Sequence, residues 1–251
     1  GPRLEAMYNT PEINLMVKEY AEKYVFGFDF DPDLKKAARM NMVMAGDGHA
    51  NIFHINSLGY PKSDNTPELE KIQNAIEKSV TGETGFEYSD ARGKFDLIFT
   101  NPPFGAKVIV DPEISSEYFL SKYSVAPEVL FIEACYNYLR PGGRMAIVLP
   151  DGILGNPNTL KVREWILEKF KLLASVDLPV ETFLPQVGVQ ASLLFLQKKT
   201  QVEIDLALAG KEDYEVFMAI AESVGKDRRG TPIHIRDEDG AEILFEEVKR
   251  Y

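Results

Sequence analysis

The sequence has few of the residues that build disulfide frameworks, metal clusters or membrane spans. Only one of its 251 residues is cysteine, Cys135, which excludes an intramolecular disulfide and a multi-cysteine metal site. Three scattered histidines, His49, His54 and His234, lack metal-ligand spacing, so no metal is predicted. No apolar run approaches 18 residues and no secretory signal opens the chain. These absences predict a cytoplasmic protein with no membrane partner and with Cys135 buried as a small apolar residue.

An excess of positive charge is also missing. The formal net charge is -11, which argues against a chain that coats nucleic acid through bulk charge. Basic residues nevertheless group on one predicted helix and in one turn near the C terminus, namely Lys35, Lys36 and Arg39, and Lys226, Arg228 and Arg229. Either group could meet phosphates, although a solvated surface is the simpler explanation. A partner subunit that supplies most of a DNA contact is also compatible with this charge.

What the sequence has in abundance is apolar residues whose spacing alternates between helices and strands. They make up 45% of the chain, enough for a sizeable core. Helices are predicted at 12–23, 31–45, 67–80, 127–139 and 162–171, and strands at 24–30, 51–55, 95–99, 144–149, 172–178, 191–197 and 216–221. This alternation predicts an α/β protein with a mostly parallel, twisted sheet and helices on both faces. Residues 1–200 are predicted to form the main domain, with an inserted connection at about 59–94, and residues 201–251 an appended segment.

The sharpest local signal is Asn101-Pro102-Pro103-Phe104, which closely follows the predicted strand at 95–99. Ligands of open α/β sheets bind beyond the carboxyl ends of the strands, so these residues stand where chemistry occurs. The asparagine oxygen and a proline-fixed carbonyl can each accept a hydrogen bond, and the aromatic ring offers a stacking face. A Pro-Pro turn that merely ends a strand is the simpler alternative.

This set of groups suits an amino group on a flat base, such as N6 of adenine. That nitrogen is a poor nucleophile because its lone pair is delocalised into the ring. Two acceptors that bind both N–H groups favour a pyramidal nitrogen whose lone pair points at a methyl sulfonium. Stacking on Phe104 would hold the ring, at roughly 1–3 kcal/mol per base. Positioning the two reactants in line does most of the work, so no strong base is needed before transfer.

Several segments, in order along the chain, resemble the N6-adenine DNA methyltransferases of the gamma class, most of all the modification subunit of type I restriction-modification systems. These segments are Gly27–Pro32, Ala38–Met42, Lys94–Phe104, Leu139–Gly152, Phe183–Ser192 and Val216–Gly230. The resemblance covers about residues 20–235. It implies a Rossmann-like, S-adenosylmethionine-dependent methyltransferase fold, with 1–200 as a partial catalytic domain. It also implies that the protein extrudes an adenine from double-stranded DNA, which a duplex requires. Its expected partners are a specificity subunit and a restriction subunit.

The same resemblance suggests which residues bind the cofactor. Asp29, beside Phe30, should bind the ribose hydroxyls of S-adenosylmethionine, because a carboxylate at the end of the second strand can accept hydrogen bonds from two hydroxyls. Asp31 is the alternative, although its position before a proline favours helix capping. Asn56 and Ser57 follow the third strand, where the family usually has an aspartate that reads the cofactor's adenine.

Two further expectations concern the substrate side. Asn101 is expected to contact the cofactor as well as the reacting base. Phe183 and the loop Val187–Gln190 resemble the family's target-base loop and are expected to line the pocket for the extruded adenine, although ordinary packing beside a turn would also explain them.

One family motif has no match. The family's first strand ends in a Gly-rich loop that wraps the methionine part of the cofactor, and Gly46-Asp47-Gly48 does not qualify because no strand precedes it. Without that strand, two neighbours would have unpaired backbone groups. Three explanations stay open: the loop lies upstream of Gly1, which we expect, another chain supplies it, or another segment replaces it.

Two other functions therefore compete with DNA methylation. The missing loop favours a truncated or degenerate domain that acts as a non-catalytic assembly scaffold. Related Asn-Pro-Pro-aromatic sites also modify RNA bases or protein glutamine, so the substrate could differ. The resemblance at Ala38–Met42 and in the tail favours DNA.

Overall fold

The computed structural model describes residues 10–45, 51–60, 66–79, 93–105 and 109–234, and the chain divides into two compact units. The N-terminal unit comprises residues 1–94 and the C-terminal unit residues 95–251. No helix in these described ranges is long and apolar enough to cross a membrane. The same ranges contain no group of three or more side chains that could hold a metal ion. The segment Gly46–Gly48 lies outside the described residues.

The N-terminal unit contains a small parallel sheet with three helices. Its elements are α1 (Pro11–Tyr24), β1 (Phe26–Asp29), α2 (Pro32–Met44), β2 (Asn51–His54) and α3 (Thr66–Ser79). Strands β1 and β2 pair in parallel from Phe26↔Asn51 to Asp29↔His54. Helix α2 begins as the sequence predicted, because the Asp31 carboxylate accepts hydrogen bonds from two first-turn amides and Pro32 needs no donor.

A buried carboxylate, that of Glu68 on α3, joins three elements of this unit. It accepts hydrogen bonds from the Lys35 ammonium of α2 at 2.7 Å and from the amide of His54 in β2 at 2.8 Å. A third bond comes from Lys71 at 3.0 Å. Burial alone would raise the pKa of the Glu68 carboxyl, but these three hydrogen bonds outweigh burial and lower the pKa to about 2. The ionised form of Glu68 therefore stabilises the unit.

We expect the stabilisation from Glu68 to disappear in acid. A carboxyl with a lowered folded-state pKa stabilises the fold above its unfolded value of 4.5 and loses that contribution as pH falls towards 2. Thermal unfolding should therefore show Glu68→Gln melting about 5 °C below the wild type near neutral pH. That difference should shrink on acidification. Glu70→Gln, which changes an exposed carboxylate of the same helix, is the control. A difference in Tm that stays constant down to pH 2 would contradict this assignment.

The C-terminal unit is built on a five-stranded sheet. Its strands are β3 (Phe95–Thr100), β4 (Leu139–Pro150), β5 (Phe170–Leu178), β6 (Ala191–Lys198) and β7 (Phe217–Ile220), in the order β3-β4-β6-β5-β7. Its helices are α4 (Pro112–Ser115), α5 (Pro127–Tyr138), α6 (Asp151–Gly155), α7 (Leu160–Lys169) and α8 (Gln201–Leu208). Only β6 runs antiparallel to its neighbours. The carboxyl ends of β4 and β5 therefore meet the amino end of β6, where Pro150 and Leu178 both pair with Ala191.

The core of this unit lies between the sheet and helices α5 and α7. Its most buried side chains include Val129, Ile132, Ile147, Leu149, Val162, Phe170 and Leu196. Tyr136 packs edge-on against both Trp165 and Phe170, with ring centroids 5.4 and 5.5 Å apart. Cys135 belongs to the same core, as predicted. Burial raises the pKa of its thiol to about 12, so it carries no thiolate at neutral pH.

The junction of α5 and β4 differs from the prediction. The sequence predicted a helix over 127–139 and a strand that begins at residue 144. The helix instead ends at Tyr138, and β4 begins at Leu139 with an irregular stretch in its register to β3. A Cβ atom on Gly143 would lie 2.9 Å from the Arg140 carbonyl oxygen, so this stretch closes only around glycine.

The chain after residue 200 continues the C-terminal unit. Helix α8 was not predicted, although Thr200 and Glu203 form a capping box at its start. Strand β7 lies within the predicted strand 216–221 and pairs in parallel with β5. The division of the protein at residue 200 stays a prediction, and part of the 201–251 segment packs on the sheet.

The sequence predicted a single sheet, whereas the described residues form two sheets, one of two strands and one of five. In the described part of the chain, β1 pairs only with β2, and β3 pairs only with β4. One side of β1 and one side of β3 therefore have no described strand beside them.

Candidate functional site

Residues Asn101–Phe104 lie directly after β3, on the side of the sheet where the carboxyl ends of β4 and β5 also lie. Pro102 is buried and anchors the loop, whereas Asn101 is exposed. Within the described ranges the Asn101 carboxamide makes no hydrogen bond, so its oxygen can accept one from a ligand. Gly105 ends the loop with φ +82°, a conformation that favours glycine.

An aromatic pair joins this loop to the connection between β5 and β6. The ring of Phe104 meets that of Phe183 edge-on, with centroids 5.4 Å apart and an interplanar angle of 83°. Both residues are half-buried, so neither is enclosed in the core. The structure thus brings together two residues that the sequence placed in the same predicted site. An edge-on partner fixes the orientation of the Phe104 ring while part of that ring stays accessible.

Polar contacts also fix the connection between β5 and β6 at its other end, where β6 begins. The Gln190 carboxamide donates to the Asp177 carboxylate at 3.0 Å and to the Leu178 carbonyl. The Ser192 hydroxyl donates to the Asp151 carboxylate, also at 3.0 Å. These bonds fix the predicted loop Val187–Gln190 to the ends of β4 and β5. Neither aspartate was predicted as a site residue, although each stands at or near the end of a strand, which is the signal that identified Asn101.

Four of the five predicted cofactor residues lie in the N-terminal unit, and the fifth, Asn101, lies in the C-terminal unit. Asp29 ends β1, and its Oδ1 accepts a hydrogen bond from the Asp31 amide at 2.8 Å. Its Oδ2 has no hydrogen bond among the residues described, so this oxygen is available to a ligand hydroxyl. The carboxylate of Asp31 instead caps α2. The geometry therefore favours Asp29 over Asp31 as the ribose ligand, a role that stays a prediction.

The other predicted cofactor residues surround the ends of the same two strands. Phe30 is 72% exposed, and its carbonyl oxygen lies 2.8 Å from Nε2 of His54. Asn56 and Ser57 are half-buried in the turn after β2. The Asn56 side-chain oxygen accepts from the Leu58 amide at 3.1 Å, so it stabilises the turn and has one lone pair left for a ligand.

A polar cavity of about 900 Å³ lies elsewhere in the N-terminal unit. Its lining includes Glu22, Lys35, Asn51 and Glu68, and none of the predicted cofactor residues. Lys35 and Glu68 already form an ion pair inside it. The cavity therefore adds no group to the candidate site.

Comparison with known proteins gives consistent results. A family model described as N-6 DNA Methylase matches residues 12–243. The methylase subunit of the type I restriction enzyme EcoEI from Escherichia coli is 33% identical over 104 residues, which are 41% of this chain and 21% of that protein. The chain thus spans about a fifth of the length of the curated relatives it matches.

Two solved structures show the same fold. A chain from a structure of the type I R-M system has 22% identity and a TM-score of 0.58, over 98% of this chain and 42% of that one. The type I restriction enzyme EcoKI M protein has 20% identity and a TM-score of 0.50, over 79% and 36%. These likenesses establish the methyltransferase fold that the sequence predicted.

Proposed function

Because the chain belongs to the N-6 DNA methylase family, we propose that it forms part of an enzyme that transfers a methyl group to N6 of adenine in double-stranded DNA. One observation carries this proposal: Asn101, which is exposed and makes no hydrogen bond with the described residues, stands three residues before Phe104, whose ring packs edge-on against Phe183. These groups match an extruded adenine, which offers an amino group and a flat ring.

In the proposed mechanism the loop after β3 prepares the amino group. The Asn101 carboxamide oxygen and the Pro102 carbonyl oxygen each accept one N6–H, which draws the nitrogen lone pair out of the ring plane. Phe104 stacks on the adenine and Phe183 keeps Phe104 in place. The freed lone pair would make N6 the nucleophile for the methyl group that the cofactor would supply, and the proton lost from N6 would pass to water. Positioning of the two reactants supplies most of the rate acceleration.

The residues present fit S-adenosylmethionine as the methyl donor. The cofactor supplies a methyl group on a positively charged sulfur, which needs no further activation. The available carboxylate oxygen of Asp29 would accept hydrogen bonds from the two ribose hydroxyls. The exposed Phe30 ring would pack against the adenine of the cofactor. Asn56 would read the cofactor's adenine amino group, with Ser57 beside it, and Asn101 is proposed to contact the cofactor too.

The proposed partners follow from the relatives, which are methylase subunits of type I restriction enzymes. We propose that a specificity subunit selects the DNA site and that a restriction subunit can join the complex in the cytoplasm. The net charge of -11 supports a chain that does not find its DNA site by itself.

The test is methyl transfer from isotopically labelled S-adenosylmethionine by the full-length protein with its specificity subunit. Unmethylated bacterial DNA, RNA and protein are offered in parallel, and the products are identified by mass spectrometry. We expect labelled N6-methyladenine in DNA alone. Label in RNA or in protein glutamine would assign the other substrates, and a folded protein that does not bind the cofactor in calorimetry would support the scaffold.

A further inference from the structure

A basic turn near the C terminus packs on the loop that carries Phe183. The turn comprises residues 225–233 and is internally fixed. The Asp227 carboxylate accepts from the amides of Arg229 at 2.8 Å and Thr231 at 2.9 Å, and the Ile233 amide donates to the Gly225 carbonyl at 2.8 Å. These bonds hold its side chains on a defined backbone rather than on a free tail.

Three contacts attach this basic turn to the connection between β5 and β6. The Lys226 ammonium donates to the carbonyl oxygen of Leu184 at 3.0 Å, and the Arg228 guanidinium pairs with the Glu181 carboxylate at 3.0 Å. A Cβ atom on Gly230 would lie only 3.3 Å from the Pro185 ring, so the two backbones are close. Leu184 directly follows Phe183, whose ring touches Phe104. The basic turn therefore lies against the segment that carries Phe183, next to the aromatic pair of the candidate site.

The three cations of this basic turn are not equivalent. Lys226 is partly buried, and Arg228 is neutralised by Glu181. Arg229 is exposed, and its guanidinium has no hydrogen bond or ion pair within the described part of the chain. An arginine held on a fixed backbone with all its donors free is suited to bind a phosphate through two parallel hydrogen bonds.

Extrusion of a base rotates its nucleotide about the backbone, so the flanking phosphates come to the mouth of the pocket. We propose that Arg229 binds the DNA phosphate next to the extruded adenine, an inference that rests on the proposed function. Such contacts position the DNA without reading its sequence. The basic turn thus gives an acidic chain a local point of attachment to DNA where the reaction occurs.

The test measures DNA binding by the full-length protein with its specificity subunit at several salt concentrations. In Arg229→Ala, the dissociation constant for duplex DNA should rise roughly three- to tenfold, and the slope of log K against log salt should fall by about 0.9. The KM for DNA should rise with kcat unchanged. Arg229→Lys should retain the slope, because it keeps the charge. Arg144→Ala is the control, since Arg144 is an exposed arginine of β4 that pairs with Gln197 near the carboxyl end of β6, and its guanidinium already donates to the Gln197 side chain.

Two failures can be told apart. If the wild type methylates DNA and Arg229→Ala keeps the wild-type salt slope, the phosphate contact is wrong and the proposed function stands. If the wild type binds cofactor but transfers no methyl group to DNA, the proposed function fails and the phosphate contact fails with it.

Discussion

Replacing Asn101 by alanine should lower kcat for methyl transfer by about 10³-fold or more, the effect of removing one preorganised polar group that acts on the reacting atoms. Alanine cannot accept an N6–H, so the lone pair of the nitrogen stays in the adenine ring. The fold should not change, because Asn101 is exposed and its side chain makes no hydrogen bond with the described residues. Steady-state kinetics with labelled cofactor measures the loss, and thermal unfolding checks the fold.

A matched control is available in the same unit. Asn137 lies in the last turn of α5, away from the loop after β3, and alanine is the better helix former there. Asn137→Ala should therefore retain wild-type kcat. Equal activities of Asn101→Ala and Asn137→Ala would show that Asn101 takes no part in the mechanism.

Replacing Phe104 by alanine should lower kcat/KM for DNA by about 100-fold, because one stacked base is worth roughly 1–3 kcal/mol. The variant loses the stacking face for adenine and also the edge-on partner of Phe183. Phe104→Tyr keeps the ring and should retain most of the activity. A duplex with 2-aminopurine at the target position measures extrusion directly, since its fluorescence rises when the base leaves the stack. We expect a smaller rise with Phe104→Ala than with the wild type.

The aromatic pair provides a second check on the same residue. If Phe183 acts by holding Phe104, the effects of Phe104→Ala and Phe183→Ala on extrusion should not add. Phe119→Ala removes an aromatic residue that pairs with Tyr123 elsewhere in the unit, and it should leave extrusion unchanged. Additive effects of the first two variants would show that the two rings act separately.

Local chemistry made much of this molecule predictable from its sequence. Asp31 and Pro32 predicted the start of α2, and the structure has the carboxylate on the first-turn amides. The apolar spacing predicted α5 and α7, which form the core. The Asn-Pro-Pro-Phe segment predicted the end of β3, because consecutive prolines cannot continue a ladder. Each of these signals depends on residues close together in the chain.

Contacts between distant segments were harder to predict. The edge-on packing of Phe104 and Phe183 depends on strand order and was not predicted, although the family resemblance placed both residues near the extruded base. No local pattern placed the Lys226 ammonium on the Leu184 carbonyl, so the basic turn looked like an ordinary solvated surface. The irregular start of β4 escaped prediction because glycine at 143 is required by the approach of Arg140 and Phe95, not by its own neighbours.

The most direct test is a structure of the full-length protein, with its specificity subunit, bound to duplex DNA and a non-reactive analogue of S-adenosylmethionine. The account predicts an extruded adenine whose N6 lies at hydrogen-bonding distance, about 2.7–3.2 Å, from both the Asn101 carboxamide oxygen and the Pro102 carbonyl oxygen. Its ring should stack on Phe104. An extruded adenine whose amino group points away from Asn101 would contradict the account.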